Sequence, residues 1–394
     1  MRTILKSDSI RQITLTIISF QNQICFNIIR SISYRYLSLC FLFLFPETGL
    51  ACVKDPVICD WLEKVLIIRA DRTTASAVEV GPGVFVTNKH VVTDNKSVLA
   101  SRRDGKEFTL YVVPNLSESD LVLLTENNNK EFFLPKIQLA NNYEDLRVVA
   151  YGIGRQQIRI FPTGGLLALP PENKVQARIH TTVRNLPGIS GGALINGSGS
   201  LVGIVTAGSG KYNEAFSVRA ITKIGTEPTP ISSDYMTRGR HIKHCSNLLS
   251  IPLSRFKSDG KSRLLEQVEK ECSLANTKTF YDMVGQLFGN LGLLEKSLKY
   301  LNKSVLLDPN SPTSLISLSV ALQFKKDYKK QIETLDHLLT IIPNDPLVSR
   351  MAVQAAALEG DKKFAEKALN FMVIYNPAAV PQASQFIKKR IKNF

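Results

Sequence analysis

Three prolines, Pro309, Pro343 and Pro377, stand 34 residues apart in the last third of the chain. Self-similarity at this interval is the mark of stacked helix pairs, because one pair cannot bury its apolar face alone. The residues between the prolines agree. Tyr281, Val284, Gly285 and Phe288 fit a first helix, with Ser297 and Leu301 on a second. Leu315, Leu318, Ser319, Leu322 and Leu335 serve the next unit, and Ala352, Ala356, Ala365 and Leu369 the third. Small residues let paired helices approach, and each proline ends the second helix of its pair. Residues 262–394 are therefore predicted to be an all-α repeat domain with a surface for a protein partner.

The preceding region has another rhythm. Between Thr73 and about Ile224 the chain reads as short strands. Ala75 to Val80 and Val84 to Val86 flank the turn Gly81-Pro82-Gly83. Ser97 to Val113 reads as a hairpin around Arg103-Asp104-Gly105, since Asp-Gly favours tight turns. Leu146 to Tyr151, Lys174 to Thr181, Leu194 to Thr206 and Phe216 to Ile221 are further candidates, with Gly197-Ser198-Gly199 as another turn. Many short strands with regular turn signals indicate an all-β sandwich or barrel over residues 60–225. Residues 226–261 carry Pro228, Pro230, Pro252 and Gly260 with little periodicity. They read as a linker or as an extension of the β region.

The N-terminal segment is different again. Leu37 to Phe45 is an apolar run behind Arg30 and Arg35, and Gly49 and Ala51 are small residues two apart. That is a signal-peptide layout over residues 1–51, and the run is short for a membrane span. An uncleaved anchor and a lipoprotein signal ending at Cys52 are the alternatives. Outside the leader, Cys52, Cys59, Cys245 and Cys272 permit two disulfides in an exported chain, proximity favouring Cys52–Cys59 and Cys245–Cys272. The formal net charge is +15, and +12 without residues 1–51. The cations are spread along the chain without a nucleic-acid motif, so no nucleic-acid partner is expected.

Chemistry concentrates in three places. His90 follows an apolar strand in Val86-Thr87-Asn88-Lys89-His90-Val91-Val92. Asp120 heads another in Ser119-Asp120-Leu121-Val122-Leu123-Leu124. Ser190 sits in Pro187-Gly188-Ile189-Ser190-Gly191-Gly192-Ala193-Leu194, where glycines permit tight turns and close substrate approach. Each alone has a bland explanation, as a structural histidine, a cap or a turn. Together, in the order His, Asp, Ser at spacings of 30 and 70, they supply base, orienting acid and nucleophile. The amides of Gly188 and Ser190 are candidate oxyanion donors.

On these motifs, and on Val202-Gly203-Ile204-Val205-Thr206-Ala207, residues 75–221 resemble the trypsin-like serine peptidases of the HtrA-like branch. The 34-residue units resemble tetratricopeptide repeats. The first resemblance implies an all-β double barrel with the triad between barrels, peptide-bond hydrolysis through an acyl-enzyme, and no cofactor or metal. It also implies that Thr206, Ala207 and Gly208 pair with substrate backbone. Arg184, six residues before Ser190, is the candidate floor of the primary pocket. Ile189 departs from the family, where Asp or Asn is common, so activation by pairing with a new N-terminus is not expected. A PDZ-like domain is also missing from its usual place. His241 and His244 have metal-like spacing without a third ligand in sequence, and His180 reads as a structural strand residue.

The expected whole is an exported serine endopeptidase, periplasmic or secreted, membrane-bound only if the leader stays uncleaved. It would take protein or peptide substrates and a partner at the repeats. The alternatives are a catalytically weak or inactive peptidase-fold scaffold that serves as a protein-binding adaptor, and a self-restrained protease active only when a partner occupies the repeats.

Overall fold

Period-two alternation places Leu66 and Ile68, Ala75 and Ala77, Val98 and Ala100, and Val122 and Leu124 on one side of their strands, and all are buried in a single core. The computed structural model describes residues 55–394 except 72, 129–133, 135–136, 153–155, 185, 209–210, 227–231, 258–260 and 393. The leader and Cys52 fall outside the described residues.

Strands β1 (Val65–Ala70), β2 (Thr73–Gly81), β3 (Val84–Asn88), β4 (Ser97–Ser101), β5 (Glu107–Val113) and β6 (Leu121–Thr125) close into a barrel in the order β1-β2-β3-β6-β5-β4. The hairpin expected around Asp104-Gly105 joins β4 to β5. A helix, α1 (Pro56–Lys64), precedes β1, and one helical turn, α2 (Lys89–Val92), follows β3. Asp55 caps it by accepting from the Ile58 N–H, and its Trp61 Nε1 donates to the Gly199 carbonyl at 2.8 Å.

The second layer is a seven-stranded antiparallel sheet. It comprises β7 (Arg147–Gly152), β8 (Gln157–Ile160), β9 (Leu166–Ala168), β10 (Ile179–Thr181), β11 (Ala193–Ile195), β12 (Leu201–Gly208) and β13 (Asn213–Ser217). The order is β8-β7-β11-β12-β13-β10-β9. Its core gathers Leu146, Val148, Phe161, Ile179, Leu194 and Val205.

Two strand expectations are corrected. Of Lys174 to Thr181, only Ile179–Thr181 pairs. The candidate Phe216 to Ile221 ends as a strand at Ser217, and α3 (Val218–Thr226) begins there. Val218, Ile221 and Ile224 are all buried, a spacing of three that suits a helix face and not a strand.

Residues 232–249, which lack clear periodicity in the sequence, form the helix α4 (Ser232–Leu249). It folds back onto the barrel: Tyr235 joins the barrel core, and Lys243 pairs with Asp71 and Asp94 at 2.7 and 3.3 Å. A Cβ at Gly239 would meet the Thr93 carbonyl oxygen at 2.3 Å, so glycine permits the approach of α4 to the end of the His90 turn. Cys245 and Cys272 form a disulfide that ties α4 to α5 (Lys261–Ala275). Both His241 and His244 turn to Glu271, at 2.7 and 3.5 Å.

Helix pairs follow: α6 (Lys278–Asn290) with α7 (Leu294–Leu307), α8 (Pro312–Lys325) with α9 (Tyr328–Ile341), and α10 (Pro346–Glu359) with α11 (Lys362–Tyr375), then α12 (Val380–Lys388). The 34-residue period reappears as capping. Thr277, Ser311 and Asp345 each accept a backbone N–H at the start of the first helix of a pair. Gly285 is where α6 and α7 touch, and a Cβ there would come within 2.5 Å of Leu301. No helix among the described residues is long and apolar enough to cross a membrane.

The capped edge of this stack lies against β10 and β13. Glu214 on β13 accepts from Arg178 and, at 2.5 Å, from Lys278 Nζ, and all three side chains are buried. Burial alone would raise the Glu214 carboxyl. The charges of Lys278, Arg178 and His180 outweigh it and hold the group below the usual carboxylate range. A depressed folded pKa adds stability that is complete above the unfolded value of about 4.3 and is lost as pH falls through the folded value. Glu214→Gln should therefore lower Tm at pH 7, in line with the roughly 3–5 kcal/mol lost when a buried pair is broken. It should also flatten the acid limb of a Tm-against-pH curve measured by calorimetry.

Candidate active site

The register of the barrel brings His90 and Asp120 together. β3 and β6 pair antiparallel, and Asn88 opposite Leu121 is the last rung. The residues just beyond it, Lys89 and His90 on one strand and Asp120 on the other, leave the barrel at the same end. The Asp120 carbonyl accepts from the Lys89 N–H at 3.0 Å and from Asn88 Nδ2 at 3.2 Å. Buried Lys89 donates to the Ser117 carbonyl, fixing the approach to Asp120 from the other side.

The Asp120 carboxylate is 8% exposed. Its Oδ1 accepts from the His90 backbone N–H at 2.9 Å, and its Oδ2 lies 2.6 Å from His90 Nδ1. Thr206 Oγ1 donates to the same Oδ2 at 3.1 Å. Burial pushes the Asp120 carboxyl up. The charge and hydrogen bonds of His90, with a smaller contribution from the Arg178 charge, more than reverse this and hold it below its ordinary value. An ionised carboxylate on Nδ1 orients the ring and turns Nε2 away from it, toward the half-exposed side of the imidazole.

Ser190 belongs to the loop between β10 and β11. Bonds from Gly191 N–H to the Val205 carbonyl and from Val205 N–H to the Gly192 carbonyl, both 2.9 Å, extend the β11–β12 ladder up to it. Its Oγ donates to the Thr206 carbonyl at 3.1 Å. Thr206 falls at a register shift between Val205 and Ala207, a bulge in the β12–β13 ladder. Its hydroxyl thus holds Asp120 while its carbonyl holds Ser190. The expected strand-edge role of Thr206, Ala207 and Gly208 did not anticipate this side-chain bond.

Ser76, on β2, is the other residue that pattern reading passed over. Its N–H donates to the Ser190 carbonyl at 2.8 Å, and its Oγ accepts from the Tyr151 N–H at 2.9 Å and reaches the Gly188 carbonyl at 3.5 Å. The signal was present as a lone hydroxyl between the buried Ala75 and Ala77. Gly191, at φ +80°, has its Cα so close to this strand that a Cβ would sit 1.9 Å from the Ser76 carbonyl oxygen. Only glycine fits there.

Ile189 takes no part in an ion pair. It is 1% exposed and packs in the core of the second sheet with Val183, Leu194 and Val205. Gly188 follows the loop at φ +94°. Among the described residues, the amides of Gly188 and Ser190 donate to no protein acceptor. Arg184 is exposed, at the rim of a small void lined by Thr181, Val183, Ile189 and Asn213. His180 is fully buried and pairs with Asp308 of the repeats at 2.9 Å. No cluster of three or more metal-ligating side chains occurs among the described residues.

Comparison with known proteins agrees with this architecture. Residues 75–204 match the trypsin-like peptidase domain family, and residues 279–311 match the tetratricopeptide repeat. The serine endoprotease DegS of Escherichia coli (strain K12) is 32% identical over 152 residues, which cover 36% of this chain and 42% of DegS. The periplasmic serine endoprotease DegP of Salmonella typhimurium (strain LT2) is 36% identical over 140 residues, 33% of this chain and 28% of DegP. Less than half of either relative is therefore matched. The solved structure of the HtrA-type protease AlgW with tripeptide is similar at 22% identity and a TM-score of 0.37, covering 43% of this chain and 61% of that one. Residues 75–204 are thus a trypsin-like peptidase domain related to the DegS and DegP serine endoproteases, and a tetratricopeptide repeat follows it in the same chain.

Proposed function

We propose that this protein is an exported serine endopeptidase in which Ser190 is the nucleophile, His90 the general base and Asp120 the orienting acid. The observation that carries the reading is the double use of Thr206, which ties the hydrogen-bonded Asp120 and His90 and the Ser190 hydroxyl to one strand. In the reaction Ser190 Oγ turns from the Thr206 carbonyl toward His90 Nε2 and attacks the substrate carbonyl. The proton passes to His90, and the amides of Gly188 and Ser190 receive the oxyanion. His90 then protonates the leaving amine, and water releases the acyl group. Ala207 and Gly208 offer a strand edge for substrate backbone, and Arg184 stands at the mouth of the side-chain pocket. No step calls for a cofactor.

Export is supported by the Cys245–Cys272 disulfide, which suits an oxidising compartment, and by the signal-like leader. DegP and DegQ, among the relatives, are periplasmic. The repeats supply a surface for a protein partner.

One feature favours the rival reading of an inactive scaffold: Ser190 Oγ donates to Thr206 and makes no hydrogen bond to His90. Hydrogen bonds of this kind often form only with substrate present. Labelling with a fluorescent fluorophosphonate decides between the two. The wild-type chain should label and Ser190→Ala should not, with kcat for a cleaved peptide falling by roughly 10⁴–10⁶-fold in the variant. A folded wild-type chain that resists labelling would leave the scaffold reading. Thr206→Val keeps the shape of the side chain and removes one donor to a carboxylate, an interaction of about 1.5–3 kcal/mol. Steady-state kinetics should show kcat lowered by roughly ten- to a hundredfold, with KM little changed.

A further inference from the structure

The repeat stack grips the two peptidase segments that hold the candidate catalytic residues. Lys278, the first residue of α6, is 1% exposed. Its ammonium donates to Glu214 at 2.5 Å and to Ser311 Oγ at 2.9 Å, and its backbone N–H donates to Gln176 Oε1 at 2.8 Å. The second oxygen of Glu214 takes Arg178, which also reaches Thr279 Oγ1 at 3.0 Å. Glu214 is the cross-strand partner of Ala207, one residue from Thr206. The path from the repeats to Ser190 and Asp120 is therefore a side-chain clamp, one ladder rung and Thr206.

A second strut runs to the other segment. Arg238 on α4 donates to the carbonyls of Ser117 at 2.8 Å and Glu118 at 3.3 Å, just ahead of Asp120, and to Ala275 at 3.4 Å, just ahead of the first repeat. Farther along the same edge, Lys211 and Tyr212, just before β13 begins, reach Asp345, which caps the third pair. An apolar contact would hold two bodies together over a range of alignments. Buried charges tolerate only arrangements in which every partner is met.

We propose that Lys278 and Glu214 are positioning residues: through the Lys278–Glu214–Arg178 clamp the repeat stack holds β12 in register, and its docking is a condition for catalysis. The proposal rests on the peptidase reading and deepens it. The repeats are then part of the catalytic unit, and a partner bound to them acts on the active site through this edge.

The test uses full-length Lys278→Met and Lys278→Arg beside wild type, each assayed well below its own Tm. Lys278→Met should lose roughly 5- to 150-fold in kcat, the usual range of coupling between sites, at nearly constant KM. Fluorophosphonate labelling should slow in parallel, and Lys278→Arg, which keeps charge and donors, should recover much of the rate. Hydrogen exchange supplies a readout independent of activity. In Lys278→Met the amides of Gly191, Val205 and Glu214 should exchange faster, while those of β3 and β6 keep wild-type protection. A Lys278→Met chain that labels and exchanges like wild type, or a Lys278→Arg chain no faster than Lys278→Met, overturns the proposal. A wild-type chain that fails to label overturns the peptidase reading, and the exchange comparison then still decides whether Lys278 holds β12.

Discussion

A carboxylate taken out of water must be met by donors, and Asp120 is met by three: the His90 backbone, the His90 ring and the Thr206 hydroxyl. Two of them come from the barrel and the third from the second sheet. This one group therefore fixes how the two β layers meet, and it does so where Ser190 emerges. Ser76 repeats the logic from the other side, with a barrel hydroxyl and amide accepting and donating across to Tyr151 and Ser190. Together the two contacts make the junction between the layers a hydrogen-bonded seam and not merely an apolar one.

The loop that carries Ser190 is secured by packing. Ile189 buries its side chain in the second sheet, and the flanking glycines adopt positive φ angles so that the loop can pass close to β2. The loop conformation is therefore a property of the folded chain itself, set by the core beneath it.

The repeats extend the same theme. Their caps recur every 34 residues because each helix pair must begin with a residue that satisfies free backbone N–H groups. The capped edge doubles as the docking edge. Ser311 accepts from Lys278 as well as capping α8, and Asp345 receives Lys211 and Tyr212 as well as capping α10. Local helix chemistry and long-range assembly thus use the same side chains.

The sequence by itself determined the β-then-α order, the hairpins at Asp104-Gly105 and Gly197-Ser198-Gly199 and the repeat period, and it singled out His90, Asp120 and Ser190 as a candidate set. All of these are written in short-range periodicity, turn chemistry and local motifs. The stretch after Phe216 reads as a strand in the sequence although its buried residues lie three apart, and residues 232–249 show no period that marks their helix. Only the tertiary structure decided the second role of Thr206, the bracing by Ser76, the placement of Ile189 in a core and the clamp of Lys278 on Glu214. The hydrogen bonds that Thr206 makes to Asp120, Ser76 to Ser190 and Lys278 to Glu214 join residues from 64 to 114 positions apart. No local pattern records them, because a buried polar side chain is compatible with many sequences until the fold supplies its partner.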